Sequence, residues 1–370
     1  MMQYPRKWKE ILCDDLCIID GRLYCPFTDR NGICEVSVNR NLVSILGFFP
    51  DVDMGGQNMS LCCIECCGKV FFCPMSSAYV GVYDIKKEHL EFIKIPNPQN
   101  DLTGRYDERK KFYDLTAVGN KIFLQPITYP GVIEIDAQTY KIKIIDEWVL
   151  QIEGKAARKT SLTTRGSVFF NEILYLPLGG VSGLISIDVN NGRTDFLEVN
   201  FGLNGLYGIT QVGKYGFVTE HDANSRRIVC IDFESLKQKE INIPVADQFL
   251  PPVYYKEQLY FFPNKNDRSF RYDYITDIWE ETTSIFEEIG RISVAKTNEN
   301  EIFIVSQNRG IYSWEFGGRL KKVEVLIEDE KYLIDSRTQY NKAIIERAKL
   351  NPIREGEFGL RDFIGGIINA

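Results

Sequence analysis

The sequence predicts an all-β fold, a β-propeller of about seven four-stranded blades with a short helical tail, and three observations carry that reading. A pattern of short apolar strands repeats along most of the chain. From Asp84 to Glu315 its five steps average about 46 residues, the length of one blade. The strands are rich in Ile, Val, Tyr and Phe, residues that suit a pleated, packed surface.

Each unit begins with an apolar strand and a tight turn, followed by a second strand that tends to end in proline. This second strand reads Leu23-Tyr24-Cys25-Pro26, Val70-Phe71-Phe72-Cys73-Pro74, Ile122-Phe123-Leu124-Gln125-Pro126, Ile173-Leu174-Tyr175-Leu176-Pro177 and Leu259-Tyr260-Phe261-Phe262-Pro263. Thr219 and Ser306 replace the proline in two copies. Proline at the last position of a strand costs no ladder bond, because pairing is ending there. The third strand closes on Asp84, Asp136, Asp188, Asp232 and Asp273, with Asn39 and Glu315 as variants. An aspartate there can accept backbone N–H bonds from the turn that follows, which makes these acids turn residues. Stacked blades bury both faces of their inner strands, hence continuous apolar runs in place of strict alternation. The first copy, residues 16–46, is degenerate, so six blades with an N-terminal extension also fit.

The segment Tyr272-Asp273-Tyr274-Ile275-Thr276-Asp277-Ile278-Trp279 resembles the end of a kelch repeat, where an aromatic–Asp pair precedes a turn and a tryptophan. Asp136-Ala137-Gln138-Thr139 and Asp188-Val189-Asn190-Asn191-Gly192 are weaker versions. The double glycine of such repeats appears only as Gly179-Gly180. The resemblance implies a diverged, kelch-like propeller and no particular partner or activity.

The propeller is expected over residues 1–328 and the tail over 329–370. A helix is predicted for about residues 336–350, ended by Asn351-Pro352. Beyond it, Leu360, Phe363, Ile364, Ile367 and Ile368 form an apolar stripe at helical spacing. The stripe would dock on the propeller or form a partner or dimer contact.

Strand parity sorts the loops onto two faces. The first-to-second and third-to-fourth turns share one face and are short. The blade-to-blade connections and second-to-third loops share the other, and the long segments at 49–59, 97–110 and 150–163 all belong there. Long loops carry function disproportionately, so a ligand is expected on that face. Arg105, Tyr106, Arg109 and Lys111 lie on one such connection, and Arg158, Lys159 and Arg165 on or just beyond the next. Together they suit an anionic ligand, such as an acidic or phosphorylated sugar or an acidic peptide.

With 44 Lys+Arg against 51 Asp+Glu the chain carries a net charge of −7 and has no global field to attract nucleic acid. No apolar run reaches the ~20 residues of a membrane span, and the N-terminus enters charge where a secretion signal would be apolar. Nine of the ten cysteines precede residue 74. Without a secretion signal they point to a reducing, cytoplasmic setting, where the glycosylation sequon Asn58-Met59-Ser60 would be accidental. Cys62-Cys63-Ile64-Glu65-Cys66-Cys67 invites a metal reading, but side chains two apart on a strand are about 6.6 Å apart and alternate faces. Four thiols so arranged cannot close around one ion with bonds of about 2.3 Å, so buried apolar cysteines are expected, with no metal and no cofactor. Of two histidines, His89 falls near a third-to-fourth turn. His221 follows Glu220 on the ligand face and makes the best acid–base pair. The sequence therefore reads as a non-catalytic binding or scaffold propeller, with a lyase, cyclase or glycan-processing enzyme using Glu220 and His221 as the alternative.

Overall fold

A computed structural model describes residues 11–327, apart from short stretches at 29–30, 52–55, 99–103, 153–160, 200–204, 223, 264–267, 283–285, 299, 307–309, 315–319 and 325. Among these residues the strands form seven antiparallel sheets in chain order, each pairing consecutive strands from the innermost outward. The chain is a seven-bladed propeller. The degenerate first copy is a full blade, running from its inner strand Cys17–Ile19 to its outer strand Leu42–Gly47. A fifth strand, Leu326–Ile327, joins that outer strand in parallel and brings the end of the last repeat back onto the first blade.

The core is distributed between blades. Seven apolar clusters each draw on two adjacent blades, and the cluster of Leu23, Cys25, Cys34 and Val36 with Phe303, Val305 and Ile311 joins the last blade to the first. Burying about 25 cal/mol of stabilisation per Å² of apolar surface at every such seam is what holds the ring closed. The inner strand of the second blade, Ser60–Cys66, shows how one sequence serves two seams. Cys62 and Cys66 face the third blade, where their thiols donate to the carbonyls of Tyr113 and Gly119. Cys63 faces the first blade and donates to Tyr24 O. The alternation expected from strand geometry separates these thiols.

The aspartates act as expected from their position. Asp136 Oδ1 accepts N–H bonds from Gln138 and Thr139, Asp188 Oδ1 from Asn190 and Asn191, and Asp273 Oδ1 from Ile275 and Thr276. In the sixth blade Tyr272 stacks on Trp279 with ring centroids 4.4 Å apart, and its hydroxyl donates to Asp277.

Three local expectations need correction. The second strand of the sixth blade ends at Phe261, and Pro263 makes only an isolated bridge to Phe249. Asn39 does not end a strand; it sits in a one-turn 3-10 helix, Val38–Arg40, after the strand stops at Ser37. The connection from the third to the fourth blade opens with a short helix, Glu147–Ile152, which buries Trp148, Val149 and Ile152 in the seam. Glu315 and the whole tail, with its stripe Leu360, Phe363, Ile364, Ile367 and Ile368, lie outside the described residues. No helix among the described residues is long and apolar enough to cross a membrane.

Candidate functional site

The seven inner strands start on the face that carries the blade-to-blade connections, and residues on these strands or just before them line the central channel. A cavity of about 280 Å³ opens there, lined among others by Asp15, Cys62, Tyr113, Asp114, Arg165, Ser293 and Lys296, with Ile64, Leu115, Ile209, Leu250 and Pro251 as apolar wall. A largely apolar hollow with a few convergent charges is the usual form of a small-molecule site.

Backbone contacts fix the position of Arg165. Its carbonyl accepts the Ile209 N–H at 3.0 Å, and it forms a parallel bridge with Gly208 of the fifth blade. Gly166 follows with φ +78°, and a Cβ there would meet Ile209 O at 2.0 Å. A Cβ on Gly208 would meet Pro251 and the Arg165 carbonyl. Glycine at both places lets three chain segments converge at the mouth.

The Arg165 side chain then lies across the channel. Its guanidinium donates to the Ser293 carbonyl and sits 4.9 Å from the centroid of the Tyr113 ring. Burial opposes its charge, but Tyr113, Asp15, Tyr207 and Asp14 more than offset this and hold it protonated. Opposite, Lys296 Nζ donates to Asp15 Oδ2 at 2.8 Å, and Ser293 Oγ donates to Asp14. Burial raises the Asp15 carboxyl, an effect that Lys296 opposes and Asp114 reinforces. Asp114 Oδ1 accepts the Leu115 N–H and Oδ2 the Gly166 N–H, both at 2.8 Å. One ligand atom each from Asp15, Cys62 and Asp114 lie within 4.8 Å of one another.

Of the residues singled out from sequence, Arg165 lines this cavity. The others that the structure describes are placed elsewhere. Lys111 is buried and donates from Nζ to the carbonyls of Ser76 and Glu108, a peg between the second and third blades. Burial lowers its ammonium below the ordinary value. Arg109 is exposed and pairs with Asp107 at 3.2 Å. Tyr106 packs edge-on against Tyr129, and Arg105 is half-buried beside it. Arg158 and Lys159 lie outside the described residues. Glu220 is buried at the end of its strand, where Ser225 Oγ donates to it and Arg227 approaches to 3.8 Å. Burial raises its carboxyl, with the Ser225 bond working against that. His221 is exposed, its ring edge-on to Tyr207 with centroids 5.6 Å apart, and neither member of the pair lines the cavity. His89 opens the outer strand of the second blade opposite Asp84.

Sequence reasoning missed Asp15, Tyr113, Asp114 and Lys296. Part of the signal was present: Asp15, Tyr113 and Asp114 are polar residues at or just before the start of an inner strand, at the end that parity assigns to the ligand face, whereas Lys296 lies near the far end of its strand.

No protein-family model matches the chain, and no curated protein matches it. Its likeness is to solved propellers. Virginiamycin B lyase from Staphylococcus aureus superposes with a TM-score of 0.65 at 15% identity, covering 85% of this chain and 99% of that one. A streptogramin B lyase gives 0.61 at 13%, covering 84% and 94%. A chain of the mitotic checkpoint complex gives 0.62 at 7%, covering 85% and 95%. A catalytically inactive histidine-to-alanine variant of the Staphylococcus aureus lyase with quinupristin gives 0.64 at 15% identity, covering 82% and 97%. At these identities the likeness is one of fold.

Proposed function

We propose that this protein is a non-catalytic binding propeller that takes a small anionic ligand into the channel mouth, with Arg165 as the anchoring cation. The observation that carries the reading is the state of Arg165. It lines the channel cavity, and no carboxylate among the described residues lies within ion-pair distance of it. One donor reaches Ser293 O, and a planar guanidinium has four more N–H groups to offer a carboxylate, phosphate or sulfate. Arg105, Tyr106, Arg109, Lys111, Arg158 and Lys159 would border the site for a ligand longer than the cavity, such as an acidic sugar chain or peptide. The stripe from Leu360 to Ile368 would supply a partner or dimer contact. The kelch-like reading of the repeat rests on the stacked Tyr272–Trp279 pair and its Asp273 turn.

Saturation-transfer NMR with a hexose 6-phosphate, glucuronate and an acetylated acidic dipeptide tests this. Binding by at least one probe that is lost in Arg165→Gln and kept in Arg109→Gln supports the channel as the site. Equal binding by Arg165→Gln overturns it.

A second reading has its own support. Two lyases share the fold, a histidine-to-alanine change inactivates one of them, and here His221 sits against Tyr207, whose hydroxyl feels the charge of Arg165. A lyase-type enzyme would use Glu220 and His221 on the same face. Turnover of any bound ligand that disappears in His221→Ala would favour the enzyme; release of the ligand unchanged favours the binding protein.

A further inference from the structure

The cavity holds two charges of opposite sign that make no direct ion pair among the described residues. Its walls present Asp15, Asp114, Arg165 and Lys296. Lys296 closes on Asp15 at 2.8 Å. Among the described residues, neither Asp114 nor Arg165 has an oppositely charged side chain within 4.0 Å. Asp114 is held by two backbone N–H groups, and Arg165 by one carbonyl and a tyrosine face. Each is fixed in place, and each keeps hydrogen-bonding capacity.

We infer that the ligand of this cavity is a small zwitterion, its anionic group on Arg165 and its ammonium group on Asp114. This rests on the anion-binding reading above and adds the second charge. A ligand bearing one charge would engage one wall and leave the other without a direct partner in a cavity where water is displaced, which is costly. A ligand bearing both signs engages both walls and leaves the balance of the cavity unchanged. The space, about 280 Å³, lies just below the roughly 300–1,000 Å³ common for drug-sized ligands, so an amino acid or dipeptide is the right scale. Ile64, Leu115, Ile209, Leu250 and Pro251 would receive its apolar side chain.

The acidic wall suits an ammonium group better than a metal ion. Asp15 Oδ2 is already held by Lys296, and the Cys62 thiol already donates to the Tyr113 carbonyl. A metal ion would need the thiolate. N–H donors need only the Asp114 carboxylate, with Cys62 as a weak neighbour.

Three matched probes test the inference on the intact protein by isothermal titration near pH 7: glycyl-leucine, N-acetylglycyl-leucine and glycyl-leucinamide. They share one body and differ in terminal charge. Glycyl-leucine is expected to bind at least ten-fold more tightly than either of the others. Asp114→Asn should bring it down to the level of the acetylated probe, and Arg165→Gln should remove both. If the acetylated probe binds as well as glycyl-leucine, the zwitterion inference falls and the anion reading stands. If glycyl-leucinamide binds best, both fall. If none of the three binds, the inference falls, and the anion panel decides the broader reading separately. The ranking in the unaltered protein suffices should either variant fail to fold.

Discussion

Lys296 of the seventh blade donates to Asp15, at the entry to the first, across the seam where the ring closes. Asp15 keeps 7% of its side-chain surface exposed, while Lys296 keeps 35%, facing the channel. The pair therefore links fold closure to the wall of the cavity. Lys296→Met would leave the buried Asp15 without its hydrogen-bonded counter-charge. Fully buried pairs lose about 3–5 kcal/mol when one partner is removed; the opening on the channel reduces this to about 2–3 kcal/mol. Urea unfolding should show that loss, with part of it recovered in the Asp15→Asn/Lys296→Met double variant.

Gly166 separates the anchoring arginine from the inner strand of the fourth blade. Its φ of +78° and the 2.0 Å approach of Ile209 O to any Cβ leave no room for a side chain. Gly166→Ala should cost about 2 kcal/mol or more in chemical denaturation and displace Arg165. Gly119, also at positive φ but with nothing within 4 Å of a Cβ, is the control: Gly119→Ala carries the conformational strain alone and should cost less.

The turn aspartates set the response to acid. Backbone N–H bonds hold the carboxyls of Asp84, Asp136, Asp188 and Asp273 below the ordinary 3.8. A group whose folded value is depressed contributes its full stability above the unfolded value and loses it as pH falls through the folded one. Tm should therefore stay level on this account from pH 7 to about 5 and fall below about pH 4 as these turns protonate. Asp136→Asn should flatten part of that decline while lowering Tm at neutral pH.

Ten free thiols should react very unequally. Cys67 is exposed, Cys230 half-buried and the rest buried. Burial pushes Cys17 and Cys230 up to about 11 and Cys66 up to about 12. Brief iodoacetamide treatment of the native protein at pH 8 should give a single main adduct, mapped by mass spectrometry to Cys67. Rapid labelling of Cys62 or Cys63 would contradict their place in the seams.

The repeat was legible because every blade solves the same problem with the same residues. Pro26, Pro74, Pro126 and Pro177 end second strands, and Asp136, Asp188 and Asp273 close turns. The site was less legible because it is built from the places where blades differ. Asp15, Asp114, Arg165 and Lys296 lie on four inner strands or just before them, yet they follow no repeated residue pattern and lie up to 281 positions apart. Basic composition drew attention to Arg105, Arg109 and Lys111, but Asp107 and nearby carbonyls engage two of these locally. Arg165 differs because the Gly166 turn carries it over the channel. The helix Glu147–Ile152 was hidden for a related reason: six residues within a connection leave too short a period to detect.

The most direct test of the channel as the ligand site is a crystal structure of the protein grown with the tightest-binding member of the anion panel. The account predicts density in the channel mouth, with an anionic oxygen within about 3 Å of the Arg165 guanidinium. A ligand bound at the Arg105–Lys111 border with the channel mouth unoccupied would contradict it.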